Sequence, residues 1–348
     1  MAVEKTNFES PSKVRKVSRL LMTAAVCLAF AGCGEQKERV IRHFPSTDTL
    51  AYEALRYDPV ACNMATLNYA GDWWITTNRH GNDNCMSVLD SRLRPVTGFG
   101  MIGRGPQEWL VPCFAGLQKS SADSLLYVMV RDWPEGKLYK TVVHLESGGY
   151  EVSLIKDFGV SMRAIYRLGD STYLCNGDNN RYYLLDDATG DRTFLEGWDE
   201  NIHEAAENNS LFIPEIQTLE SLSPDSSQVI IYGLEVPVLY LHDLDDGSLR
   251  YRICIGNNLD ALMSDDRMDY FAGAYIGDGY TAAVYCNMDV RSGEVESFLM
   301  MFDRNMKLKN AYAIPPADYV TFNTDKSILA CLSYVDETVY LFDLNGLP

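Results

Sequence analysis

The chain has 348 residues, of which 47% are hydrophobic, 11% aromatic and 22% charged, a composition that can bury a substantial core and excludes a disordered body. Thirty Lys/Arg against 48 Asp/Glu give a net charge of −18. No basic surface is left to release phosphate counterions, which excludes nucleic acid and anionic membrane surfaces as partners of the body.

The first 32 residues read as a processing segment. Lys13, Arg15, Lys16 and Arg19 precede an apolar run from Leu20 to Ala31 that leads into "AFAGC", ending at Cys33. A basic stretch, a short apolar stretch and small residues before a cleavage site make a secretory signal peptide. The run is shorter than the ~20 residues needed to cross a bilayer. "FAGC" resembles the bacterial lipobox, with Phe30 where leucine is usual. That resemblance implies lipidation of Cys33, a tether over residues 33–37, and a body over 38–348 held in the bacterial cell envelope. The "GEQKE" that follows Cys33 points to outer-membrane sorting, with the body facing the periplasm or the surface. Membrane contact is then expected through the lipid alone. Residues 1–32 hold five Lys/Arg and two Asp/Glu, so the remainder carries −21, which favours neutral or cationic partners or divalent ions.

Beyond the tether one phrase recurs six times: a Gly/Asp/Ser turn, a run of apolar or β-branched residues, a polar loop, and a second apolar run closed by an acidic turn. The first halves are "YAGDWWITT", "SSADSLLYVMV", "RLGDSTYLCN", "SPDSSQVIIYG", "YIGDGYTAAVYC" and "FNTDKSILACLSY". Their aspartates, Asp72, Asp123, Asp170, Asp225, Asp278 and Asp325, are spaced 51, 47, 55, 53 and 47 residues apart. Aromatic and β-branched enrichment between turn residues favours strands, and a period near 50 fits one four-stranded sheet per unit. The predicted fold is all-β, a six-bladed β-propeller with four-stranded antiparallel blades. The last unit ends after its third strand, so an N-terminal strand must close the ring; "ERVIRHFP" (Glu38 to Pro45) is the candidate.

Between the first two units, "TGFGMIGRGPQEW" places Gly98, Gly100 and Gly103 in the order G-x-G-x-x-G. A dinucleotide cradle needs a helix immediately after the glycines, and Gly105-Pro106 followed by Pro112 prevents one. The segment reads as a rigid interblade turn. "GRGPQEW…P" resembles the G-x-G-P-x-E-F/W signature of six-bladed, TolB-like propeller lipoproteins common in Bacteroidota, related in style to NHL repeats, with Gln107 where that family often has glycine. The resemblance implies the architecture and little about activity. Two longer connections, "WDENIHEAAENN" and "NNLDALMSDDRMDYF", have helix-compatible composition.

Seven cysteines follow Cys33, at 62, 85, 113, 175, 254, 286 and 331, with no C-x-x-C and no close histidine pair. Zinc is a poor fit, and most read as small buried hydrophobes. Of the histidines, His43 lies in the proposed closing strand, His144 and His242 in repeated strands, and His203 in an insertion; His80, in a second-to-third-strand loop, is the functional candidate. No G-x-S-x-G elbow is present, so no catalytic residue is assigned. Loops joining second to third strands and the interblade crossovers should share one rim. His80, Arg104, Arg131, Trp133, Asp178 and Asn180 are the expected ligand-contacting residues on it, with Trp133 a flat apolar surface beside charges. The expectation is a non-enzymatic binding or scaffold protein for a protein, peptide or glycan, without a cofactor. The alternative is a calcium-dependent hydrolase, lactonase or lyase with ligands among Asp83, Asn84, Asn176, Asp178, Asn180 and Asp289.

Overall fold

The computed structural model describes residues 37–44, 47–60, 62–78, 84–105, 107–118, 124–177, 181–197, 218–234, 236–256, 268–289, 295–323 and 325–347. The chain divides into two compact units, Met1–Lys37 and Glu38–Pro348. Among the described residues there is no helix, and the second unit is a ring of six small sheets.

Blade 1 comprises Asn68–Ala70, Trp73–Thr77, Met86–Leu89 and Pro95–Phe99, and blade 2 Pro112–Gln118, Leu125–Asp132, Lys137–His144 and Tyr150–Asp157. Blade 3 comprises Ala164–Arg167, Thr172–Asn176, Tyr182–Asp186 and Arg192–Phe194, and blade 4 Thr218–Leu222, Gln228–Gly233, Val238–Asp243 and Leu249–Ile255. Blade 5 comprises Met268–Ile276, Tyr280–Asp289, Val295–Asp303 and Leu308–Ile314. Blade 6 takes Tyr319–Asn323, Ile328–Ser333 and Thr338–Asp343 from the end of the chain and Glu53–Arg56 from its beginning.

The recurring phrase is the middle pair of strands in each blade. Asp72, Asp170, Asp225, Asp278 and Asp325 lie in the turns between first and second strands. The acidic turns that close each unit follow the third strands: Asp90, Asp186, Asp303 and Asp343 each accept a backbone N–H from two residues further on, the side-chain-to-backbone bond that makes aspartate a turn residue. The middle strands read as unbroken apolar runs because both of their faces are covered. In blade 4, Val229 and Ile231 pack toward blade 3 while Ile230 and Tyr232 pack toward blade 5. Ala330 and Leu332 of blade 6 pack against Trp74 and Leu89 of blade 1, so the sixth hydrophobic layer closes the circle.

The N-terminal segment takes a path that the sequence did not predict. Glu38–Ile41 is a strand, but it pairs parallel with the outer strand of blade 4, Glu38 opposite Arg252 and Ile41 opposite Ile255. Arg252 Nη1 lies 3.2 Å from Glu38 Oε1. Phe44 then packs on Tyr285 and Phe298 of blade 5, and Thr47–Thr49 pairs parallel with that blade's outer strand. Closure falls to Glu53–Arg56, antiparallel to Thr338–Asp343. "EALR" is mostly exposed and carries no apolar pattern that would mark it as the closing strand. A second correction concerns the connection ahead of blade 5. Its last residues, Met268–Phe271, belong to a strand; the rest of it and all of "WDENIHEAAENN" lie outside the described residues.

The G-x-G-x-x-G stretch is a crossover turn. Met101–Ile102 pairs parallel with Glu108–Trp109. Gly100 has φ +72°, and a Cβ there would lie 2.0 Å from the Trp109 ring, which is fully buried. Glu108 folds back under Gly103 and accepts the Gly105 N–H at 2.7 Å. The glycines thus make room for an indole and a carboxylate of the same turn.

Candidate functional site

Second-to-third-strand loops and crossovers do meet on one rim. The Trp133 carbonyl accepts the N–H groups of Gly136 and Met162, both at 3.1 Å, joining the loop of blade 2 to the crossover that leaves it. Asp132, 1% exposed, accepts the N–H groups of Leu110 and Val111, both at 2.9 Å, fixing the crossover that enters it. Trp133 is 38% exposed, with the Arg163 guanidinium 5.5 Å from its ring centre. Arg104 is exposed in the crossover between blades 1 and 2. His80, Asp178 and Asn180 lie outside the described residues, as do Cys33, Asp83 and His203.

Arg131 does not stand with Trp133. It lies within the strand Leu125–Asp132, ahead of the turn that holds Trp133, and lines the central channel, where Arg131 Nη1 donates to Glu220 Oε1 at 3.2 Å. This ion pair joins blades 2 and 4, and blade 3 lies between them. Tyr166 of that blade donates its hydroxyl to Glu220 Oε1 at 2.9 Å and Tyr182 donates to Oε2 at 2.5 Å. The two charged side chains are 11% and 4% exposed, and the Arg131 guanidinium sits 5.6 Å from the Tyr166 ring centre. One buried carboxylate therefore gathers three donors from two other blades.

Around this knot the innermost strands of all six blades enclose a cavity of about 580 Å³. Its aromatic lining comprises Phe114, Tyr166, Tyr232, Tyr275, Tyr319 and Phe322. Tyr319 donates to Asn68 Oδ1 at 3.2 Å, linking blades 6 and 1, and Tyr275 of blade 5 stacks on Phe322 of blade 6 at 4.6 Å. The lining holds hydroxyls and amides, and its charged members are Arg131 and Glu220.

Burial and neighbouring charges shift Arg131 and the channel tyrosines. Burial opposes the Arg131 charge, but Tyr166 and Glu220 beside it hold the guanidinium above even the ordinary arginine range. Burial, and then the Glu220 carboxylate, pushes the Tyr166 hydroxyl up. Burial raises Tyr319 to about 12 against the opposing pull of Arg131, and Tyr232 rises well above its usual value for the same first reason, with Tyr319, Glu220 and Tyr166 adding to it. The tyrosines are hydrogen-bond donors throughout the physiological range.

His242 is 1% exposed in the third strand of blade 4, its Nε2 2.8 Å from the Glu196 carbonyl oxygen. It is a packing residue between blades 3 and 4. His144 lies 3.5 Å from Glu151 on the outer side of blade 2. All seven cysteines after Cys33 are free; six are buried, and Cys113 is partly exposed on the channel wall. Of the calcium candidates, Asn84 is half-buried and accepts from Asn78 through its backbone carbonyl, while Asn176 is 1% exposed with Oδ1 unpartnered. Among the described residues no group of three or more His, Cys, Asp or Glu is placed to hold a metal.

Glu220 escapes sequence reasoning because its partners lie 89, 54 and 38 residues away. The available signal is local: a carboxylate in the inner strand "TLESL", where a closed ring has little water to offer it.

No protein-family model matches the chain and no curated protein matches it. Among solved structures, the chain is similar to a Bacteroides fragilis protein described as a "Putative exported protein", at 11% identity, covering 88% of this chain and 98% of that one with a TM-score of 0.50. A second similar structure is the β-propeller domain of Myceliophteria thermophila Swd1, at 10% identity, covering 84% and 99% with a TM-score of 0.42. At these identities the likeness is one of fold.

Proposed function

We propose that this protein is a lipid-anchored, non-enzymatic binding protein of the bacterial envelope, and that its ligand, a small molecule or the tip of a peptide or glycan, occupies the central channel. The channel carries this reading. Its volume of about 580 Å³ falls in the range of small-molecule sites. Its wall combines aromatic faces with hydroxyl donors, and its two charged side chains are paired with each other, an arrangement suited to recognition. The signal peptide, the "FAGC" sequence before Cys33 and the exported description of the Bacteroides fragilis protein support an envelope location. The "GRGPQEW" turn supports a place among TolB-like propellers. Trp133, stacked with Arg163 at the rim, offers the macromolecular partner a contact beside the channel mouth.

The test is a calorimetric and thermal-shift survey of neutral, cationic and anionic small molecules, short peptides and oligosaccharides, repeated with Thr321→Trp, which fills the channel. A ligand that raises the melting temperature of the wild type and is lost in Thr321→Trp is the expected result. Ligands that bind both proteins alike, or none that binds the wild type, overturn the channel as the site. The anchor is tested separately: Cys33→Ser should move the protein from the membrane fraction to the soluble envelope fraction.

A further inference from the structure

Arg131 retains hydrogen-bonding capacity that the folded chain does not use. Its Nη1 is engaged by Glu220, but its Nε is buried with no hydrogen-bond partner. No partner of Nη2 is found among the described residues either. Nε and Nη2 are the two parallel donors on the side-on edge of a guanidinium, the edge that grips a planar carboxylate through two bonds. A buried donor left unmade costs free energy, and such an orphan in a cavity wall marks the place of an absent acceptor.

A second donor lines the same cavity. The Tyr232 hydroxyl has no hydrogen-bond partner among the described residues, and the side chain lines the cavity near enough to Arg131, Glu220, Tyr166 and Tyr319 to feel all four electrostatically. Leu117, Leu219, Leu222 and Phe322 supply an apolar remainder. Glu220, already receiving three hydrogen bonds, engages Nη1 and leaves the opposite edge of the guanidinium unpaired.

Resting on the binding reading above, we propose that the channel captures its ligand through a single carboxylate group, with Arg131 Nε and Nη2 donating to the two carboxylate oxygens and Tyr232 adding a third hydrogen bond. One guanidinium whose charge is already shared with Glu220 suits a monoanion with an apolar body. A dianion such as phosphate would bury charge without compensation. A free organic acid and the C-terminus of a peptide present the same chemistry, and the probes below separate them.

The experiment is calorimetric titration of the full chain near pH 7 with benzoate, benzamide, N-acetylphenylalanine, N-acetylphenylalanine amide and inorganic phosphate. Benzoate or N-acetylphenylalanine should bind about ten-fold or more tightly than the matching amide, a difference of ~1.4 kcal/mol. Tighter binding of N-acetylphenylalanine than of benzoate assigns a peptide end, and the reverse assigns a free acid. Arg131→Lys keeps the charge and loses the fork, and should weaken the carboxylate about ten-fold. Tyr232→Phe, which removes one oxygen atom, should weaken it several-fold and decides the matter if Arg131→Lys fails to fold. Equal binding of acid and amide, tighter binding of phosphate, or unchanged affinity in both variants overturns the carboxylate assignment. No binding of either acid overturns it as well. In any of these cases a neutral ligand lost in Thr321→Trp would leave the channel reading standing.

Discussion

Glu220 receives hydrogen bonds from Arg131 of blade 2 and from Tyr166 and Tyr182 of blade 3 while belonging to blade 4, so its loss strands three buried donors together. Removing one member of a buried ion pair costs about 3–5 kcal/mol, and Glu220→Ala should lower the unfolding free energy by that order in urea titration. Glu220→Gln, which keeps an acceptor, should cost less. An unchanged midpoint in Glu220→Ala would show that the knot contributes nothing to stability. His242 makes a different prediction, in pH. Burial lowers its pKa below the usual 6.5, outweighing its bond to the Glu196 carbonyl oxygen and the nearby charges of Glu196 and Asp243. The folded protein thus binds a proton less readily than the unfolded chain, and the unfolded state gains stability as pH falls. The contribution of His242 is complete above 6.5 and is lost as pH drops through 6.5 toward the lowered folded value. Melting temperature should fall over that window more in the wild type than in His242→Gln, whose amide can still donate to Glu196; parallel curves would refute this. Neither role was legible in the sequence, because each depends on partners brought together by ring closure.

At the scale of elements, the strands that sequence reading found best are those buried on both faces, such as Gln228–Gly233 and Ile328–Ser333. The outer strands were harder, since Arg192–Phe194 is exposed throughout and Glu53–Arg56 nearly so. The N-terminal segment shows why. Glu38–Ile41 was expected as the strand that closes the ring, but a parallel partner at the edge of blade 4 leaves no mark in local sequence. Removing the chain through residue 50 should leave the ring closed by Glu53–Arg56 while baring the outer strands Leu249–Ile255 and Leu308–Ile314. Unpaired edges of that length invite pairing between copies, so light scattering should detect self-association. Removing residues through 57 also deletes the fourth strand of blade 6 and should depress the melting temperature far more. Similar melting of the two truncations would contradict closure by Glu53–Arg56.

For the whole molecule, the repeat period alone led to six blades, and the six interblade layers of apolar side chains show why the period had to be regular: each sheet must match two neighbours. The channel was legible only as a geometric necessity. Arg131 was expected on the rim beside Trp133, two residues on, but it belongs to the strand Leu125–Asp132 and lines the channel, whereas Trp133 lies in the turn that follows. The charge of the body is a further whole-molecule property. With −21 on residues 33–348 the compact state repels itself, and raising the ionic strength to ~0.15 M, where the screening length is ~8 Å, should raise the melting temperature. A falling melting temperature would mean that surface ion pairs outweigh the repulsion.

The strands Glu38–Ile41 and Thr47–Thr49 lie outside the four-stranded blades they border, so a pull on the chain from its N-terminal end reaches them before it reaches Glu53–Arg56. Tension would peel the two short strands away one after another, lengthening the leash while the wheel stays whole, and only then load the seam at Thr338–Asp343. Stretched from its two ends, a single molecule should yield in small early steps followed by one large rupture, the behaviour of a tether that gives slack before it gives way.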